Sequence, residues 1–211
     1  MRTDTGILFD LDGTLWDAVA AITPAWNRVL APYGKQVTAA EMNGIMGLTD
    51  REIARRFLPG LPEEAGVAAV HEAARVEALD LRETGGKLYP GVPETLGLLA
   101  ETWPLFLVSN CMDGYIPAFL HAHCLESVFR DAAWLGHPGD SKAENIRAIC
   151  ERHRLRRALY VGDTASDARS AREAGLPFLQ ALYGFGERTE NDGEISAFAE
   201  LPGILAAFWK E

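Results

Sequence analysis

Asp10 and Asp12 stand two residues apart directly behind the apolar run Ile7-Leu8-Phe9, in the order Asp10-Leu11-Asp12-Gly13-Thr14. Two further apolar runs end in polar residues: Leu105 to Val108 leads into Ser109-Asn110, and Leu159-Tyr160-Val161 into Gly162-Asp163-Thr164-Ala165-Ser166-Asp167. If these runs are central strands of one open parallel sheet, their carboxyl ends converge on a single crevice. Several carboxylates in one crevice repel one another unless a cation compensates, and an oxygen-only donor set without His or Cys favours Mg²⁺ over zinc. Such an ion would also neutralise a phosphate, so that an anionic carboxylate could approach phosphorus and form an aspartyl phosphate. Asp10 is placed to be that nucleophile. In an extended chain Asp12 points to the same side, and with a turn at Gly13 it reaches a leaving-group oxygen as acid and later serves as base.

Ser109 offers a neutral hydroxyl and Lys142 a compact cation for oxygens whose charge redistributes during transfer. The chain has 16 Arg but only 4 Lys, so a lysine in this context is informative. Lys142 sits at a predicted helix start, where a cation opposes the dipole and calls for a compensating anion.

The elements that must position these groups follow from periodicity. Ile7 to Phe9, Leu105 to Val108, Ala158 to Val161 and Pro177 to Leu182 read as buried parallel strands, with a weaker one near Ala132 to Leu135. Helix-start signals lie between them, at Ser141-x-x-Glu144 and at Ser166 ahead of Ala168 and Ala171. Strand alternating with helix predicts an α/β fold. From Asp17 to Lys87 the alternation breaks: Thr38-x-x-Glu41 and Thr49-x-x-Glu52 are capping-box patterns, and Val67, Val70, Ala74, Ala78 and Leu81 recur at helical spacing. Residues 17–87 therefore read as a helical insertion, and residues 1–16 with 88–211 as a discontinuous core. Because the insertion leaves directly after the Asp10 loop, it is expected to act as a lid hinged near Trp16-Asp17 and Lys87 to Pro90.

Composition narrows the function classes. With 48% hydrophobic and 24% charged residues the chain can bury a real core and is not intrinsically disordered. A formal charge of −10 disfavours nucleic acid and anionic membranes as partners. No apolar run approaches the ~18 residues of a membrane span, so a soluble, cytoplasmic protein is expected. Cys111, Cys124 and Cys150 form neither a disulfide framework nor a zinc ribbon. Cys111 lacks a nearby His and reads as packing, and His121-x-His123 lies in a helical segment where neighbours two apart diverge. The arginines at 147, 152, 154, 156 and 157 lack interleaved aromatics and read as a solvated face.

Taken together, the Asp10 to Thr14 run, Ser109-Asn110, Lys142 and the Gly162-Asp163 to Asp167 run resemble the haloacid dehalogenase superfamily, and within it small phosphatases of the phosphoglycolate phosphatase type with an α-helical cap. The resemblance spans the whole chain, and Tyr183-Gly184-Phe185-Gly186 shares it without a catalytic role. It implies a doubly wound parallel-sheet (Rossmannoid) core with an inserted helical cap domain. It also implies that Asp10 is the nucleophile and Asp12 the acid/base, with Mg²⁺ on the carboxylates of Asp10 and Asp163 and the backbone carbonyl of Asp12, supported by Asp167. The substrate-binding set expected is Thr14, Ser109, Asn110, Lys142 and, in the cap, Arg51. A small phosphorylated metabolite is the expected partner, 2-phosphoglycolate first, or a sugar phosphate.

Two alternatives stand beside this. A sugar-phosphate mutase of the same superfamily would share every core residue, but Gly47-Leu48-Thr49-Asp50-Arg51 carries an acid where similar mutases would have a basic phosphate-holding residue. A phosphorylated receiver on a similar sheet would not need Asp12 or the helical insertion, and a non-catalytic regulatory relative would be told apart by a magnesium-dependent assay on an aryl phosphate. Oligomeric state is not legible in the sequence.

Overall fold

The computed structural model describes residues 4–46 and 48–209, so that Gly47 of the stretch just named lies outside the described residues. In chain order the elements are β1 (Thr5–Phe9), β2 (Trp16–Asp17), α1 (Val19–Leu30), α2 (Ala39–Asn43), α3 (Asp50–Phe57), α4 (Glu63–Thr84), β3 (Lys87–Leu88), α5 (Val92–Ala100), β4 (Leu105–Val108), α6 (Tyr115–Ala122), β5 (Phe129–Ala133), α7 (Lys142–Arg152), β6 (Arg157–Gly162), α8 (Ala165–Glu173), β7 (Phe178–Ala181), β8 (Gly193–Ile195) and α9 (Leu201–Phe208).

Six strands form one parallel sheet in the order β5-β4-β1-β6-β7-β8. From β1 the chain builds outward on one side through β4 and β5, then returns to the other side of β1 for β6, β7 and β8. The switch point therefore lies at β1, where an open α/β sheet leaves a crevice beyond its carboxyl ends. β1 and β4 are buried at every position, as near-continuous apolar strands covered on both faces must be. On one face Leu8, Phe106, Val108 and Tyr160 pack with Ile146 and Ile149 of α7 and Ala168 and Ala171 of α8. Toward the other face, the Phe9 ring meets Phe129 edge-on at 6.3 Å and Phe198 at 5.8 Å.

Two elements depart from the sequence expectation. The edge strand β5 runs over Phe129–Ala133 rather than 132–135, because Phe129 is buried while Trp134 already closes a turn with His137. Helix α8 begins after Thr164 rather than at Ser166, since Thr164 and Asp167 form a reciprocal capping box. The short strand β8, with only Ile195 buried, carries too little apolar pattern to be read in advance.

The chain divides into two compact units, residues 1–17, 87–109 and 127–211, and residues 18–86 with 110–126. The second is all-helical. Its α2 and α3 start with the expected capping boxes at Thr38/Glu41 and Thr49/Glu52. Helix α4, 22 residues long, opens on Glu63 and Glu64, where acids suit the dipole, and buries Ala69, Val70, Ala73, Ala74, Glu77 and Leu81 at helical spacing. Inside this unit the Trp26 ring meets Phe57 edge-on at 6.0 Å, and its indole N–H donates to the buried carboxylate of Glu77. Residues 110–126, read from the sequence as core, group here because α6 lies along α4: the Cα of Gly114 faces Ala78, and Gly85 faces Ala122 and His123. At the expected hinge positions β2 and β3 pair antiparallel, Trp16 with Leu88 and Asp17 with Lys87. Among the described residues no helix is long and apolar enough to cross a membrane.

Candidate active site

Asp10 extends β1 by one ladder bond, its N–H donating to Val161 O at 2.8 Å, which brings the end of β1 beside that of β6. The chain then turns sharply. Gly13 adopts φ +82°, its N–H reaches Trp16 O at 2.9 Å, and Thr14 and Leu15 both donate to Leu11 O. Glycine is required here twice over, because a Cβ at position 13 would also lie 2.3 Å from Asp163 Oδ2.

Asp163, fully buried, is held by backbone rather than by cations. Its Oδ2 accepts from Phe185 N at 2.7 Å and Gly186 N at 3.1 Å, while Thr14 Oγ1 approaches Oδ1 at 3.5 Å. Asp167 uses one carboxylate oxygen to cap α8, accepting from Thr164 Oγ1 at 2.6 Å and Thr164 N at 3.0 Å. Its other oxygen accepts from Lys142 Nζ at 2.5 Å, and Lys142 Nζ also donates to Asp10 Oδ1 at 2.8 Å. The anion that the helix-start lysine calls for is thus a pair of carboxylates from two other elements. One oxygen from each of Asp10, Asp163 and Asp167 lies within 4.8 Å of the others, and all three residues are buried.

Three carboxylates against one ammonium leave an excess of negative charge out of water. Burial, then the charge of Asp167, pushes Asp10 up to about 6 despite the help of Lys142. Burial, then the charges of Asp167 and Asp10, pushes Asp163 up to about 8 despite the two backbone donors. Lys142 is penalised by burial, but Asp10 and Asp167 more than offset that and hold it well above its usual value. Such a site takes up either protons or a further cation. The donors are all carboxylate oxygens, which suits a hard divalent cation, and Asp10, Asp163 and Asp167 are the residues that could hold it.

The remaining expected residues fall as follows. Ser109 is buried at the end of β4, its N–H bonded to Ala133 O at 3.1 Å. Thr14 is fully buried against Asp163. Asp12 is partly exposed on the turn, and its carboxylate is not one of the three clustered groups. Burial, then the charges of Asp17, Asp163 and last Asp12, hold the Tyr89 phenol protonated. Asn110 and Arg51 belong to the helical unit, where Arg51 lies exposed on α3 and pairs with Glu63 at 3.2 Å, a carboxylate it shares with Arg55. His121 pairs with Glu126 at 3.4 Å, and among the described residues the three aspartates form the one cluster with metal-ligand geometry.

What the sequence reading left without a role is the loop after β7. Tyr183 donates from its hydroxyl to Thr14 O at 2.8 Å, and a Cβ on Gly184 would meet Asp163 Cβ and Gly13 O at 2.4 Å. Gln180, fully buried, donates to Asp163 O at 3.0 Å and Glu187 O at 2.8 Å and accepts from Thr189 N at 2.9 Å, so one amide pins the whole loop. Two glycines alternating behind a strand end were the available signal: they mark a backbone that must approach something closely.

Comparison with known proteins agrees with this geometry. Residues 7–181 match the family model for haloacid dehalogenase-like hydrolases. A phosphoglycolate phosphatase of Rhodobacter capsulatus is 31% identical over 215 residues, covering 94% of this chain and 95% of that protein. One from Vibrio vulnificus is 31% identical over 216 residues, covering 95% and 90%. A haloacid dehalogenase-like hydrolase from Streptococcus pneumoniae, 24% identical, superposes with a TM-score of 0.82 over 97% of this chain and all of that one, which shows the shared fold. With its strand-end aspartates, its lysine and its sheet order all in place, the chain belongs to the haloacid dehalogenase-like hydrolase family.

Proposed function

We propose that this chain is a Mg²⁺-dependent phosphoric monoester hydrolase that transfers the phosphoryl group of a small phosphomonoester to Asp10 and then to water. The observation that carries the reading is the buried group of Asp10, Asp163 and Asp167 around Lys142 at the carboxyl ends of the central strands. Kinship with phosphoglycolate phosphatases over nearly the whole chain supports a compact substrate of that kind, 2-phosphoglycolate or a sugar phosphate.

Asp10 attacks phosphorus with a carboxylate oxygen while the ester P–O bond breaks, and Asp12 gives its proton to the departing alkoxide oxygen. Asp12, now ionised, takes a proton from water, whose oxygen attacks the phosphorus of the aspartyl phosphate and returns Asp10 as a carboxylate. Ser109 and Lys142 hold the transferring oxygens through both displacements. Mg²⁺ would be held by the carboxylates of Asp10 and Asp163 and the carbonyl of Asp12, with Asp167 in support, and would supply the positive charge that lets carboxylate and phosphate share the crevice. Asp167 also helps to hold the Lys142 ammonium in place by accepting from it at 2.5 Å. Thr14 and Asn110 complete the proposed substrate-binding set.

The decisive experiment is hydrolysis of an aryl phosphate and a phosphometabolite panel with Mg²⁺, with chelator, and with Asp10→Asn. Turnover that needs Mg²⁺ and Asp10 supports the reading; full turnover in chelator overturns it.

A further inference from the structure

We infer that Tyr160 is a positioning residue that ties the end of β4, and with it Ser109, to the strand carrying Lys142's platform, so that both phosphoryl-holding groups stay in register with Asp10. The inference rests on the phosphatase reading above. Tyr160 is fully buried on β6, opposite Leu8 of β1, which in turn pairs with Phe106 of β4. Its hydroxyl does not bond to either adjacent strand. It donates to Val108 O at 2.6 Å, on β4, the second strand over, and Val108 is the residue immediately before Ser109.

The path of the ring follows from register. Phe9 pairs with Leu107, so continuing by one residue sets Val108 level with Asp10. Asp10 shares its face with Leu8, and α7 packs on that face. The phenol therefore crosses β1 beneath Asp10. The Lys142 ammonium stands 5.8 Å from the centre of the same ring, within range of a cation–π contact. One rigid side chain thus meets Lys142, with its ring and through its hydroxyl, and bonds the Ser109 strand end with that same hydroxyl.

A phenylalanine would fill this core site without bringing a polar atom into it. Tyr160 shares one apolar core cluster with Leu8, Phe106, Val108 and Phe178, and Lys142 is a charged group against its ring. A buried hydroxyl is a cost unless bonded, and its net contribution once bonded is modest. Packing alone does not explain a hydroxyl that spans two strands to reach the carbonyl next to Ser109.

The test is a double-mutant cycle in the full chain between Tyr160→Phe and Ser109→Ala, read by calorimetric binding of orthophosphate in Mg²⁺ and by steady-state hydrolysis of an aryl phosphate. Tyr160→Phe keeps the ring and removes the tether. It should weaken orthophosphate and raise KM by about 3–10-fold, the worth of one hydrogen bond, with kcat little changed. In the Ser109→Ala background the same substitution should have a clearly smaller effect, because the part of the tether that acts through Ser109 is already lost. Tyr160→Met, which also lacks the hydroxyl but refills the volume flexibly, should repeat the orthophosphate result and in addition lower kcat as the ring under Lys142 is lost. Equal effects of Tyr160→Phe in both backgrounds, or unchanged orthophosphate affinity in both Tyr160 variants, overturns the inference. A wild type that neither turns over aryl phosphate nor binds orthophosphate overturns the phosphatase reading itself, and this one with it.

Discussion

Lys142 and Asp10, separated by 132 positions in the chain, meet at 2.8 Å in the interior, and the lysine bridges two of the three clustered carboxylates, those of Asp10 and Asp167. The pair is a charge balance as much as a contact. Removing the ammonium leaves those carboxylates facing one another out of water, a loss of roughly 3–5 kcal/mol for a broken buried pair. Lys142→Ala should therefore lower the melting temperature of the metal-free protein, regain much of it in Mg²⁺, and still turn over poorly. Near-normal turnover in Lys142→Ala would mean another cation holds the phosphoryl group.

Acidity offers a separate check. Asp10 and Asp163 ionise near 6 and 8 in the fold against 3.8 for an ordinary aspartate, so the native chain binds more protons than the unfolded one between those limits. Stability then falls as pH rises: the contribution of these groups is intact below about pH 4 and is lost by about pH 8 in the absence of metal. A divalent cation replaces the protons, so the Mg²⁺-induced rise in melting temperature should grow from pH 5 to pH 8, with proton release on binding. Asp163→Asn should flatten that dependence, and a Mg²⁺ effect that shrinks with rising pH would contradict the assignment.

The two aspartates of the Asp10 to Thr14 turn separate by role. Asp10→Asn should abolish turnover and any trapped phosphoenzyme. Asp12→Asn should leave the Mg²⁺-induced thermal shift near that of the wild type while kcat falls about 10²–10⁴-fold, the usual worth of acid/base assistance. Mass spectrometry of the trapped species checks the first; phosphate on another residue would reassign the nucleophile.

Gly13 tests the turn. A methyl there meets Asp163 Oδ2 at 2.3 Å on a backbone at φ +82°, so Gly13→Ala is strained and clashes at once. The expected result is a loss of roughly 1–3 kcal/mol together with weakened Mg²⁺ binding by calorimetry. Wild-type Mg²⁺ affinity in this variant would show that Asp163 is not a ligand.

Arg51 addresses selectivity. If it meets a carboxylate on the substrate, Arg51→Ala should raise KM for 2-phosphoglycolate but not for an aryl phosphate. A proportional change for both would leave Arg51 as the partner of Glu63 and nothing more.

Much of this protein is written locally. Apolar runs ending in Asp10, Ser109 and Asp163 mark strands and the crevice at their ends, because in a parallel sheet buried on both faces each strand must be apolar and each carboxyl end polar. The capping boxes at Thr38 and Thr49 are likewise local, since a side chain and a backbone N–H three residues apart decide them. Lys142 was legible as a helix-start cation in need of an anion, but not which anion. Its partners Asp10 and Asp167 come from two other elements, and only the sheet order brings them to it.

Tertiary structure alone decided three things. It set Asp163 in a collar of Gly13, Gly184 and Gly186, where backbone from distant positions approaches too closely for any side chain. It grouped residues 110–126 with the helical insertion, since the sequence of a short apolar helix does not say which neighbour its faces meet. And it carried the Tyr160 hydroxyl across β1 to Val108, because periodicity assigns a residue to a face of the sheet but is silent on how far across that face its side chain reaches.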